Sequence, residues 1–219
     1  MPVPTLYLRR LQGEMKREIN LSPEQVKAIL GEAKKNSQRD YLLLRTMTVG
    51  DFRVGEVVGS AARRWIKSDR TWTPAEPNLR GLQIQDLHDD GIWVERKGWK
   101  KKKNPAPPKL VPLSPAHVQE LRDYIGTRKQ GRIFEISESR VEQMTRFYAK
   151  RAGVIDWKLV HPHRFRHFTT TQVARKYGVL AARDIAGHAN VSTTNRYIAE
   201  LPEEEKRKII QAQEDLIAV

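Results

Sequence analysis

The sequence predicts an α+β domain, mainly helical with a small three-stranded antiparallel sheet at its centre, and three observations carry that expectation. Before residue 60, apolar residues recur at helical spacing behind recognisable helix starts. Alternation of apolar and polar residues takes over between residues 82 and 113. From His163 to the C-terminus helical spacing returns with short breaks. Helices, then strands, then helices within 219 residues suit one domain with one core.

Leu21-Ser22-Pro23-Glu24-Gln25 reads as a helix start, with Ser22 as N-cap, Pro23 in the first turn and Gln25 closing a capping box. Val26, Ile29, Leu30 and Ala33 supply its apolar face. A second helix runs through Tyr41, Leu42, Leu44 and Met47 to Gly50, and Asp51 is placed to cap a third carrying Arg53, Glu56 and Val57. The basic, proline-containing stretch from Ser60 to Arg80 reads as an inserted surface loop. Leu82 to Leu87 and Ile92 to Val94 flank the turn His88-Asp89-Asp90-Gly91, and Leu110 to Leu113 adds a third strand. Ser114-Pro115 starts another capped helix, and Ser137 to Ala152 holds a further one. After Pro202, three glutamates favour a helix N-terminus, and Ile209, Ile210, Leu216 and Ile217 form an apolar stripe that needs a partner surface. The expected division is a basic arm over 1–20, the main domain over 21–200 and a C-terminal helix over 201–219.

Forty Lys and Arg against 26 Asp and Glu leave a formal charge of +14, which favours a polyanionic partner, nucleic acid first. No apolar run approaches the roughly 18 to 20 residues that span a bilayer, and no signal peptide opens the sequence, so a cytoplasmic or nucleoid location is expected, in a host cell if the source is viral. With no cysteine, disulfides, thiol catalysis and Cys-ligated zinc are excluded. His163 and His167 stand four apart, but no carboxylate lies between them and neighbouring arginines repel a cation, so no metal or other cofactor is expected.

Chemistry concentrates in a few strings. Pro162-His163-Arg164-Phe165-Arg166-His167 sets a histidine and an arginine one helical turn apart; Ala186-Gly187-His188 follows, and then Thr193-Thr194-Asn195-Arg196-Tyr197. Upstream lie Val49-Gly50-Asp51-Phe52-Arg53-Val54-Gly55-Glu56-Val57 and the hairpin string Arg96-Lys97-Gly98-Trp99-Lys100 before Val111-Pro112-Leu113. In order and approximate spacing these resemble the motifs of the tyrosine recombinases, the phage-type and Xer-type integrases. The first-arginine string there is usually of a Thr-Gly-Leu-Arg-x-x-Glu-Leu type, so Gly50-Asp51-Phe52 is an unusual lead-in.

The resemblance implies the helical catalytic domain of that family and a site-specific recombinase acting on double-stranded DNA, with protomers that associate as dimers or tetramers. Tyr197 matches the nucleophile that forms a 3′-phosphotyrosyl link. Arg53 and Arg166 match the pair that clamps nonbridging phosphate oxygens through charge-assisted hydrogen bonds. His163 matches the acid/base residue, His188 a phosphate-side hydrogen bonder and Lys97 the acid that protonates the leaving 5′ oxygen, with Lys100 to Lys103 on the same hairpin as the alternatives for that lysine. Glu56 matches a residue that buttresses the arginines. In the family the C-terminal segment often docks on a neighbouring protomer; folding back on its own domain is the alternative for the stripe near residue 210. Lys100, Lys101, Lys102, Lys103, Arg63 and Arg64 are expected to contact DNA phosphates. Tyr148 and Tyr177 are the next candidates for the nucleophile. A type IB topoisomerase-like enzyme and a noncatalytic DNA-binding regulator remain the alternatives.

Overall fold

The computed structural model describes residues 20–62, 65–66, 71–72, 76–94, 108–186 and 203–219. Ser22 begins helix α1 (Pro23–Asn36) with reciprocal bonds: its Oγ accepts from Gln25 N–H at 3.2 Å, and its own N–H donates to Gln25 Oε1 at 2.9 Å. Two N–H groups that a helix leaves open are thereby satisfied. Ser37 caps helix α2 (Gln38–Val49), whose Tyr41, Leu42, Leu43, Leu44, Met47 and Val49 are all buried. Asp40, Thr46 and Thr48 are buried with them, so this helix is covered on nearly every side, and it packs against α1 and the later helices.

The next turn departs from the sequence expectation. Arg53, not Asp51, stands at the N-cap of the short helix α3 (Val54–Val58), and Glu56 closes the turn by accepting the Arg53 N–H at 2.9 Å. Asp51 instead adopts φ +51°.

A second departure follows. The stretch from Ser60 to Arg80 contains paired strands rather than an irregular loop: β1 (Ser60–Ala62) lies antiparallel to β4 (Glu76–Leu79), and within the span they enclose β2 (Trp65–Ile66) pairs with β3 (Thr71–Trp72). Trp, Ile and Thr suit strands. Pro77 is tolerated because β4 pairs on one side only, beside a register shift between Ser60 and Ala61.

The expected central sheet is present, in the order β5 (Leu87–His88), β6 (Gly91–Val94), β7 (Lys109–Pro112). Its first strand is shorter than the alternation suggested. Asp86 draws Ile84–Asp86 into a 3-10 turn by accepting from the Gln83 N–H at 3.1 Å, and it accepts from Arg80 at 2.8 Å. Gly91 is required by close approach, since a Cβ there would lie 2.2 Å from the Val111 carbonyl oxygen.

Helices α4 (Pro115–Ile125), α5 (Glu138–Arg151), α6 (Pro162–Tyr177), α7 (Val179–Ala186) and α8 (Glu203–Ile217) complete the described chain. Ser114 and Ser137 cap α4 and α5 as their sequence positions predicted. One main core gathers Phe52, Phe134 and Phe165 with α1, α2 and the sheet, and a smaller cluster joins Val173, Ala181, Ala182 and Ile185 to Ile209. Helix α8 thus inserts Ile209 into the small cluster and Ile210 and Ile217 into the main core, packing on its own domain in the single chain. Burying each isoleucine contributes about 1.5–3 kcal/mol. Among the described residues, no helix is long and apolar enough to cross a membrane.

Candidate active site

Two elements distant in sequence meet at the junction between α2 and α3. From the first comes Arg53, whose guanidinium NH1 donates to Glu56 Oε1 at 3.0 Å while its main-chain N–H occupies Oε2 of the same carboxylate. Glu56 is buried, so it holds Arg53 at both ends of the residue. From the second comes the N-terminal half of α6, which presents His163 and Arg166 one turn apart. Arg166 is 5% exposed, and its NH1 donates to the main-chain carbonyl of Asp51, two residues before Arg53. Its NH2 lies 3.8 Å from Asp51 Oδ2.

Thr170, the next turn of α6, donates to Asp51 Oδ1 at 3.1 Å, and Thr169 donates to the Thr48 carbonyl at 2.6 Å. These bonds fasten α6 to the end of α2, and the two arginines therefore stand on one side of the domain.

Arg53 and His163 line a common cavity of about 210 Å³, together with Val54, Gly55, Ser60 and Glu138. A Cβ at Gly55 would lie 2.5 Å from Glu138 Oε1, so any side chain there would displace the Glu138 carboxylate. Burial holds the His163 imidazole below its ordinary pKa, and the positive surroundings of His161, Arg166, Arg53 and His167 push the same way. A neutral imidazole beside two guanidinium groups can accept a proton while they attract an anion. Among the described residues no three His, Asp or Glu side chains gather to hold a metal ion.

The structure brings together Arg53, Glu56, His163 and Arg166. Lys97, Lys100, Lys101, Lys102, Lys103, Arg63, Arg64, His188 and Tyr197 lie outside the described residues. The hairpin expected to carry the lysines is joined at its base, where Val94 pairs with Lys109. Tyr148 is a poor substitute nucleophile: it is buried, its hydroxyl donates to Asp40 Oδ2 at 2.8 Å, and burial with that bond pushes its pKa up to about 12.

Sequence reasoning missed Asp51 as a partner of Arg166, and Thr170 beside it. Thr170 could have been found from its four-residue spacing from Arg166. Asp51 was visible only as an unusual residue in the first-arginine string.

The chain matches the phage integrase family over residues 77–204. It is 28% identical over 186 residues to a tyrosine recombinase of Pseudothermotoga lettingae, covering 81% of this chain and 55% of that protein. Among solved structures it is similar to XerA recombinase, with TM-score 0.56 and 22% identity, covering 92% of this chain and 65% of that one. It is also similar to a lambda integrase fragment, residues 75–356, seen as a dimer bound to a COC′ core site, with TM-score 0.55 and 14% identity over 84% of this chain and 62% of that one. The fold is therefore shared with both, while the chain spans about half the length of the P. lettingae relative.

Proposed function

Because the chain belongs to the phage integrase family of tyrosine recombinases, we propose that it cuts and rejoins double-stranded DNA at specific sites through a 3′-phosphotyrosyl link on Tyr197. The observation that carries this reading is the meeting of Arg53, at the start of α3, with His163 of α6 around one small cavity, while Arg166, one turn along α6 from His163, is bonded to the Asp51 carbonyl two residues before Arg53.

Attack on a phosphodiester places negative charge on its nonbridging oxygens, and two fixed guanidinium groups stabilise that charge where it develops. Tyrosine, with a reference pKa near 10, needs help to lose its proton at neutral pH. His163, held neutral by burial and its cationic neighbours, is suited to accept that proton. His188 orients the phosphate, and Lys97 on the hairpin protonates the departing 5′ oxygen. Glu56 keeps Arg53 in place. The link to tyrosine conserves the energy of the broken bond, so rejoining needs neither ATP nor a metal ion.

Lys100, Lys101, Lys102, Lys103, Arg63 and Arg64 supply phosphate contacts along the duplex. Protomers pair on DNA in the cytoplasm or nucleoid, and there residues 203–219 exchange contacts with their own domain for contacts with a neighbour.

The test is covalent trapping on a nicked suicide substrate, in which the short fragment bearing the released 5′ hydroxyl diffuses away and strands the enzyme on DNA. A denaturation-resistant adduct mapping to Tyr197 supports the proposal. DNA binding with no adduct would indicate a regulator, and relaxation of a plasmid lacking paired sites, without exchange between two sites, would indicate a topoisomerase.

A further inference from the structure

Asp51 occupies a backbone conformation that glycine ordinarily takes. Its φ of +51° is the only positive value at a non-glycine residue among those described, and this left-handed region is disfavoured by a Cβ. The first-arginine string that this segment resembles carries glycine at the corresponding place. Aspartate is among the few residues that tolerate this region, and here it adds a carboxylate that glycine lacks.

The side chain faces α6. Asp51 is fully buried; Thr170 Oγ1 donates to its Oδ1 at 3.1 Å, and Arg166 NH2 lies 3.8 Å from its Oδ2. Arg166 NH1 donates at the same time to the Asp51 main-chain carbonyl. One residue therefore accepts a hydrogen bond from one guanidinium nitrogen with its backbone and sets its carboxylate at ion-pair distance from a second. A glycine would retain the carbonyl and lose the carboxylate, leaving the guanidinium plane less constrained. In a buried site, moreover, a carboxylate beside Arg166 counters the repulsion between that arginine and the other cationic groups around His163.

We propose that Asp51 is a positioning residue for strand cleavage: its buried carboxylate fixes the Arg166 guanidinium against α6 in the orientation that receives the scissile phosphate. This rests on the reading of Arg166 as a phosphate-clamping arginine. Misplacing a preorganised group by about 1 Å can cost on the order of 10²-fold in rate without loss of binding.

The experiment measures single-turnover strand cleavage by the full chain on a nicked suicide substrate, for Asp51→Asn and Asp51→Gly. Asparagine tolerates the left-handed region and retains an acceptor for Thr170 while losing the charge; glycine relaxes the backbone and removes the side chain. Both variants should bind the site within about twofold of the parent and cleave about 10- to 100-fold more slowly. The deficit should shrink when the scissile phosphate is replaced by a neutral methylphosphonate, as it should for Arg166→Ala, because a neutral group demands less of the arginine. Cleavage within about twofold of the parent by both variants overturns the proposal, and so does a deficit of equal size on both substrates, which a general loss of structure would give. The underlying reading is checked separately. If Arg166→Ala cleaves at the parental rate, that reading falls and the proposal with it, whereas normal Asp51 variants beside an inactive Arg166→Ala remove the proposal alone.

Discussion

Glu214 on the last helix places Oε1 3.3 Å from Nδ1 of His117, an imidazole on α4 that is wholly buried. The other ring nitrogen, Nε2, lies 2.9 Å from Thr46 Oγ1 on α2, and Arg45 stands 3.7 Å from Glu214 while pairing with Glu120. Three helices distant in sequence are thus joined by polar groups at the point where α8 closes over the domain.

This junction makes stability depend on pH. Burial holds His117 below its ordinary value, with Glu214 only partly opposing. Burial raises Glu214, but hydrogen bonds with His117 and Ser114 and the charge of Arg45 outweigh it, leaving a net lowering. In both cases the unfolded chain binds protons more readily than the folded one, so this stability is complete above the ordinary histidine value of 6.5 and declines as pH falls below it. Thermal melts should show a falling melting temperature from pH 7 to 5. His117→Gln should cost about 1–3 kcal/mol at pH 7 and flatten the upper part of that decline; a parent protein with constant melting temperature over this range would contradict the neutral buried histidine.

Tyr197→Phe should abolish covalent attachment while leaving DNA affinity nearly intact, since it removes one oxygen and no charge. Tyr148→Phe is the informative companion. Losing its bond to Asp40 should lower stability by about 1–3 kcal/mol, while adduct formation continues at a temperature where the variant is folded. Mass mapping of the phosphotyrosyl peptide distinguishes the two residues.

Arg53→Ala should slow cleavage on the order of 10²- to 10³-fold. Glu56 acts one step back, because its carboxylate holds both the Arg53 guanidinium and the Arg53 N–H. Glu56→Ala should therefore lower both stability and rate, whereas Glu56→Gln, which retains an acceptor for the N–H, should recover most of the stability and less of the rate. Chemical denaturation beside single-turnover kinetics separates the two effects; parallel recovery of both would make Glu56 purely structural.

His163 should set the acid side of the pH–rate profile. Its pKa is depressed, chiefly by burial and then by His161, Arg166 and Arg53. A base must be unprotonated to work, so the midpoint of the rise in cleavage rate should lie below pH 6.5, the ordinary value for histidine. His161→Asn, which removes an imidazole whose protonation opposes that of His163, should move that rise slightly upward. Following the adduct rate from pH 5 to 8 checks both statements, and a midpoint above 7 would contradict the depressed imidazole.

Local chemistry made much of the fold legible. Ser22, Ser114 and Ser137 identify helix starts because each satisfies N–H groups within three residues, and such short-range bonds leave a readable pattern. The strands between Ser60 and Leu79 escaped because two-residue strands such as Trp65–Ile66 are too short to display alternation. Asp51 escaped for another reason: an aspartate before a helix looks like a cap, and only the backbone reveals that it turned the other way. The association of Arg53 with His163 was expected from motif order. The bond from Arg166 to Asp51 and the contact between Glu214 and His117 join positions far apart in sequence, with no period to announce them.

The small apolar cluster has a consequence for residues it does not contain. Ile185 near the end of α7 and Ile209 in α8 belong to it together, so the span from 187 to 202 is tethered at both ends to the same body. An extended chain covers at most about 3.6 Å per residue, so Tyr197, six positions before Glu203, stays within about 22 Å of that anchor whatever path the chain takes. Tethering of this kind sets an effective concentration: a side chain confined to so small a volume meets its target at a local level that free diffusion would require millimolar protein to match. In the single chain, loosening Ile209 would release one of those two ends and dilute Tyr197 about its own domain, and the exchange of residues 203–219 proposed above would carry that anchor to the neighbour.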